Sequence, residues 1–381
     1  MLRIGSLLVL CGQLMAQMGP GGWKTDLSKK SIDLSELRSG GPPKDGIPAI
    51  DIPKFDETKE ASAWLSPKEP VLAIAVEGQA RAYPLQILIW HELVNDLIGE
   101  VPILVSYCPL CNSAIVFDRR IEGSADTFGV SGMLRHSDMV MYDRQTDSLW
   151  QQLTGEAIVG TLTGSKLKIL PSQVVSFDAF TRSFPHGKVL SRDTGHPRAY
   201  GQNPYVGYEF GNRLMMPVPV KRATRIRPLE RMVTVEAAGI AKAYPFTMLR
   251  SRWVIEDKIK ETRYVVLYEE GAVTALDHKE IARSREVGSA GVFLTNLEGR
   301  RLSFRRKDGK AIDKETGSLW SVLGLATDGP LAGKRLTPVE HGTYFAFAWL
   351  VFRPDTQIAG EPATGLDDRD DATARTGTRR Q

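Results

Sequence analysis

Net charge, cysteine and long apolar runs are all scarce in this sequence of 381 residues. The 49 Lys and Arg nearly balance the 45 Asp and Glu, which leaves a formal charge of +4. So weak a balance over this length gives no electrostatic footprint for nucleic acid or an anionic membrane as a main partner. Beyond the first residues no stretch is long and apolar enough to span a bilayer, which takes about 20 apolar residues. Three cysteines cannot make a disulfide framework, and a chain of this length can build its core without one. Gly-x-Ser-x-Gly, the P-loop and the dinucleotide fingerprint are all missing, so nothing points to nucleotide chemistry. What is present is an ordinary folded composition, 42% hydrophobic and 25% charged, which excludes a largely disordered or collagen-like chain. The 35 Gly and 22 Pro predict many tight turns.

The N-terminus carries an address. Met1-Leu2-Arg3 is a short cationic start, and Ile4 to Ala16 is mostly apolar. Residues 1–16 therefore read as a signal peptide cut after Ala16, which implies export to the periplasm or the cell exterior. The alternative is lipoprotein anchoring through Cys11, because Leu8-Val9-Leu10-Cys11 resembles a lipobox, although Leu10 stands where a small residue is wanted. Cleavage at Ala16 would leave a mature chain with only Cys108 and Cys111. In an oxidising compartment an isolated Cys-x-x-Cys is either a disulfide or a protected metal site.

Residues 17–66 read as an extended arm, since the Gly-Gly-Pro-Pro-Lys-Asp-Gly-Ile-Pro stretch at 40–48 cannot be helical. The polar segment 355–381 reads as a disordered tail. Between them the chain repeats itself. Ala80-Arg81-Ala82-Tyr83-Pro84-Leu85 recurs as Ala241-Lys242-Ala243-Tyr244-Pro245-Phe246, and Tyr142-Asp143 to Trp150 recurs as Ile312-Asp313 to Trp320. We expect two related modules from an internal duplication, at 67–215 and 225–354. Short strands are expected at 71–76, 101–107 and 113–119, a helix over 84–98 with Ile87, His91, Val94 and Ile98 on one face, and a short helix over 172–184. The fold class that follows is α+β and β-rich, without a regular βαβ alternation.

The chemical signal is Tyr107-Cys108-Pro109-Leu110-Cys111-Asn112. The residues after Cys111 read as strand, so the two thiols sit in a tight turn between strands, a knuckle that offers two sulfurs to a metal. Pro109 between the thiols also suits a thiol–disulfide couple. Further ligands are sought among six histidines. His91 lies on the helix just before the cysteine strand, and His196 in a turn-rich loop; His136 is weaker. Met133, Met139 and Met141 read as core packing, and Glu92, Asp96, Asp118, Asp138 and Asp143 as acid–base candidates. The repeat supplies an internal control: His91 becomes Arg252, Cys108 becomes Glu269 and Cys111 becomes Ala272, while Tyr83, Pro84 and Trp150 persist. Candidate ligands vanish together from the second copy and scaffold residues stay. The expected metal set is Cys108, Cys111, His91 and His196, with copper or zinc as the ion.

The stretch 40–48, Trp90-His91-Glu92, the Cys-Pro-Leu-Cys turn, Met141-Tyr142-Asp143-Arg144 and Arg192-Asp193-Thr194-Gly195-His196 together resemble a bacterial and archaeal family, domain-of-unknown-function family 3179. The resemblance covers about residues 38–354. It implies export in many members and a shared site around the Cys-Pro-Leu-Cys turn, His91 and His196, but carries no settled activity. At His136 that pattern often has Asn, which weakens His136 as a ligand. Three classes of function stay open: a metal-binding protein, a thiol–disulfide oxidoreductase, and a non-catalytic extracytoplasmic binding module with a structural disulfide. Its small-molecule or metal-delivery partner is not specified by any motif.

Overall fold

The computed structural model describes residues 22–211, 213–220 and 224–361. The export segment expected at 1–16 and the chain beyond 361 lie outside the described residues. The fold is β-rich with few helices, its strands arranged in several small sheets. Strands Pro70–Val76 and Gln79–Pro84 pair antiparallel across Glu77-Gly78, both at positive φ (50° and 78°), the backbone that suits a two-residue hairpin. Pro84 then starts the helix Leu85–His91, which buries Leu85, Ile87, Leu88 and Ile89.

That helix is shorter than the apolar spacing suggests. It stops at Glu92, which has φ 59° and ψ −35°, and the chain turns back as strand Leu93–Ile98. This strand pairs with Val101–Cys108 from Leu93↔Ser106 to Ile98↔Val101 around Gly99-Glu100. Val94 and Ile98 are four apart and so satisfy helical spacing. In a short apolar run, however, the presence of a pairing strand decides between helix and sheet. Residues 172–184 divide in the same way. Ser172–Ser176 is a strand on Pro70–Ile74, and only Phe177–Ser183 is helical, capped by Ser176 Oγ accepting from the Ala179 N–H.

A second run of elements has the same order: strands Arg231–Ala237 and Ile240–Pro245, helix Phe246–Arg252, then strands Val254–Ile259, Thr262–Glu269 and Ser289–Leu294. Trp253 ends its helix with φ 66° and ψ −37°, as Glu92 does in the first run. The two runs differ where the cysteines lie: 109–112 links the strands in the first, 270–288 in the second. The Asp143 carboxylate accepts from Thr146 N–H (2.7 Å), Thr146 Oγ1 (2.8 Å) and Trp150 Nε1 (3.0 Å). Asp313 accepts in the same manner from Thr316 and Trp320. Asp143 and Trp150 are therefore a turn clamp.

The main core runs from Tyr107, Phe117 and Trp150 to Phe345 and Phe347, so the last strand and helix belong to it. The chain before residue 67 is tied in by two strand pairs, Leu37–Ser39 on Met133–Arg135 and Phe55–Glu57 on Lys188–Leu190, and by the bridges Lys30↔Val159 and Ile50↔Val94. The disordered tail expected from 355 needs correction. Thr356 is fully buried, and Gln357–Ile358 pairs parallel with Lys242–Ala243. Two residues adding to a sheet edge carry too little periodicity to be read from sequence.

Candidate metal centre

The cysteines sit where two strands meet. Val101–Cys108 pairs with Ser113–Asp118, with Cys108 opposite Ser113. The turn is closed by Cys111 N–H donating to Cys108 O and Asn112 N–H donating to Pro109 O, both at 3.2 Å. Asn112 takes the left-handed backbone that lets the chain re-enter a strand, with φ 49°. Both thiols are free and buried. The turn is held from outside by Tyr208, whose hydroxyl donates to Leu110 O at 3.0 Å. Phe345 N–H donates to Cys111 O at 3.0 Å from the far end of the chain.

A distant hairpin completes the group. Strands Phe128–Arg135 and Asp138–Asp143 are joined by His136 and Ser137 at φ 54° and 65°. This turn lays the Ser137 carbonyl 3.3 Å from Cys111 Sγ and 3.8 Å from Cys108 Sγ, each thiol donating to it. It also brings in Asp138: donor atoms of Cys108, Cys111 and Asp138 all lie within 4.8 Å of one another, and all three residues are buried. Asp138 Oδ2 is occupied, accepting from Gln151 Nε2 at 2.6 Å and Leu153 N–H at 2.9 Å. Asp138 Oδ1 has no protein partner. Two sulfurs and one oxygen at this spacing can hold a metal ion.

The electrostatics follow from burial. It raises the Cys108 thiol, and raises Cys111 well above the ordinary thiol range. It pushes Asp138 up to about 6, against the bonds from Leu153 and Gln151 that favour its charged form. Glu92 is pushed up to about 8, first by burial and then by the charge of Asp138. The apolar surroundings thus favour the neutral thiols, a balance that a bound cation would reverse. Four buried polar atoms around the turn and hairpin have no hydrogen-bond partner: Tyr107 OH, Asn112 Nδ2, Ser137 Oγ and Asp138 Oδ1. Buried polar groups in folded proteins are nearly always paired, so their concentration in these two segments is unusual.

The four residues expected at one centre are brought together only in part. Cys108 and Cys111 converge; among the described residues no imidazole joins them. His91 is fully buried, and its Nδ1–H donates to Pro48 O at 2.7 Å. Its Nε2 accepts from the Tyr200 hydroxyl at 2.6 Å. Burial pulls this ring down to about 4, so it stays neutral. His196 lies beside it, ring centroids 5.5 Å apart. His91 ties the loop 192–200 to the helix through Tyr200, and neither imidazole joins the sulfur group. His91 ends the seven-residue helix against that loop, while Glu92, one residue on, is close enough to feel the charge of Asp138 and to raise the Cys108 thiol. His136 pairs with Glu36 at 3.0 Å. Met133, Met139 and Met141 are core residues. Asp138, as a member of this group, was legible only as one of five acid–base candidates. A strand pair closed by a two-residue turn was its local signal, but its position over the cysteines is a non-local fact.

Fold and site define a β-rich protein with a buried Cys/Cys/Asp group able to hold a metal. The chain belongs to the protein family of unknown function DUF3179, whose model matches residues 44–356. No curated protein and no solved structure matches it.

Proposed function

We propose that Cys108, Cys111 and Asp138 hold one transition-metal ion, zinc or copper, at the centre of an exported protein. The observation that carries this is the convergence of two buried sulfurs on a buried carboxylate whose second oxygen has no other partner. Asp138 takes the place that His91 and His196 hold in the sequence-based set. A carboxylate beside two thiolates favours zinc over Cu(I), which prefers an all-soft shell. Three protein donors leave one place of a tetrahedral zinc shell for an outside group, as in sites that bind or transform a molecule. Binding requires loss of the thiol protons, so uptake releases protons.

The test is the metal content of protein purified without metal affinity. Close to one zinc or copper per chain is expected, lost in Cys108→Ser/Cys111→Ser and reduced in Asp138→Asn. A metal-free protein that also refuses added zinc and copper overturns the reading.

One observation favours a second reading. A buried carboxyl beside a Cys-Pro-x-Cys pair can accept a thiol proton, which suits a thiol–disulfide couple. Against it stands access, since the two sulfurs are in residues only 2% and 0% exposed. Reversible exchange with glutathione would favour it.

We infer further that modules 67–215 and 225–354 descend from one duplicated unit, the first keeping the site and the second serving as scaffold. Shared motifs, matched element order and the paired turn clamps support this. N-terminal sequencing of the mature protein tests export, with a start at Gln17 expected.

A further inference from the structure

Where the two halves meet there is a cavity of about 530 Å³, a size suited to a small organic ligand. Its walls are mostly apolar, with Ile74, Phe184, Phe293, Leu323 and Leu336 among the lining residues; Ser172, Gln173 and Thr337 add neutral polar groups, and Arg335 and His341 are its two basic side chains. It lies apart from the cysteine group and shares no residue with it.

The direction of His341 follows from strand period. Strand His341–Phe345 pairs with Arg231–Ala237, with His341 opposite Val235 and Gly342 opposite Thr234. Side chains of facing residues share a face and alternate along the strand. His341 therefore projects with Val235, away from Thr234, and its ring centroid lies 6.3 Å from that of Phe293 in the cavity wall. Its Nδ1–H donates to Val339 O at 2.7 Å. That bond fixes the tautomer and leaves Nε2 as a lone-pair acceptor. Nε2 is buried without a partner, in a residue only 8% exposed. Burial pulls the ring down to about 4, so it is neutral at physiological pH.

Arg335 supplies the opposite polarity. Its guanidinium stacks on Phe184, 4.1 Å from the ring centroid, and Nη2 donates to Ser183 O at 2.6 Å. Among the described residues no carboxylate pairs with it, and burial is the one influence on its ionisation. An unpaired guanidinium on an apolar cleft is complementary to an organic anion.

We propose that this cleft binds an amphipathic organic acid bearing a hydroxyl, with its hydrocarbon on the apolar walls, its carboxylate on Arg335 and its hydroxyl donating to His341 Nε2. Each part of the ligand answers a feature of the cavity that the protein itself leaves unmatched.

Three probes of one chain length separate the contributions: 10-hydroxydecanoate, decanoate and 1,10-decanediol, titrated by calorimetry into the full chain, Arg335→Gln and His341→Leu. The wild type is expected to bind one molecule of 10-hydroxydecanoate, at least threefold more tightly than either other probe. Arg335→Gln should remove the advantage of 10-hydroxydecanoate over the diol. His341→Leu should make 10-hydroxydecanoate and decanoate equal. Should His341→Leu fail to fold, the exposed Arg335 position and the wild-type ranking still decide the matter. No saturable binding, many molecules per chain, or a ranking that survives the substitutions overturns the proposal.

Discussion

Replacing Asp138 by Asn separates the stability of the site from its chemistry. The amide oxygen of Asn can take over the bonds that Oδ2 accepts from Gln151 and Leu153, while its NH₂ occupies the place of the free Oδ1. Asn is thus close to a permanently protonated Asp138. The folded carboxyl is raised from 3.8 to about 6 by burial. A carboxyl with a raised folded pKa binds its proton more tightly folded than unfolded. Its contribution is therefore most favourable at low pH and is lost as pH rises from about 4 through 6. A gap of about two units corresponds to about 3 kcal/mol at pH 7.5. In metal-free protein held with chelator, Asp138→Asn should be more stable than wild type by about 2–3 kcal/mol at pH 7.5 and equal to it at pH 4. Urea unfolding at both pH values measures this as a shift in midpoint at constant slope. With metal the order should reverse, because the amide nitrogen is no ligand and the linkage of metal binding to folding is lost. A metal-free variant that is destabilised equally at pH 4 and pH 7.5 would refute the reasoning. Asp138 would then be a structural acceptor and nothing more.

Further expectations follow from other parts of the structure. Glu92→Gln should also stabilise the metal-free protein, absent at pH 4 and full only at pH 9, because Glu92 is raised to about 8 and its penalty grows as pH rises through that value; the same urea series reads it. Glu209 and Arg231 form a buried pair, 4% and 6% exposed, that ties the segment carrying Tyr208 to the second half. Glu209→Ala should cost about 3–5 kcal/mol by leaving a buried cation unpaired, seen as a lowered thermal midpoint. Asp143→Ala and Asp313→Ala each orphan a Trp Nε1–H and a Thr backbone N–H, so each should cost about 2–3 kcal/mol, but only Asp143→Ala should also weaken metal retention, since its strand carries Asp138.

Sequence patterns reached as far as local chemistry goes. The turn holding Cys108 and Cys111 between strands was legible because Ser113–Asp118 is an unbroken β-prone run after the second thiol. The recurring motif Asp-x-x-Thr-x-Ser-x-Trp was legible in sequence, and it makes the same local hydrogen bonds at both places. Helix length was misread at 92–98, where Val94 and Ile98 satisfy two periods at once. Sequence placed His91 with the cysteines on nearness along the chain, and among the described residues no imidazole joins the two sulfurs. His91 precedes the cysteine strand, yet Pro48 and Tyr200, far along the chain, claim both of its nitrogens. Asp138 comes to the sulfurs through a hairpin whose placement depends on sheet packing, which no local window contains. Likewise, the cavity holding Arg335 and His341 is made by both halves of the chain.

X-ray absorption at the metal edge of the purified protein tests the central claim most directly. The account predicts a first shell of two sulfurs near 2.3 Å and oxygen or nitrogen near 2.0–2.2 Å, with the oxygen contribution altered in Asp138→Asn. A shell without sulfur, or no bound metal in protein whose thiols titrate as free, would contradict it.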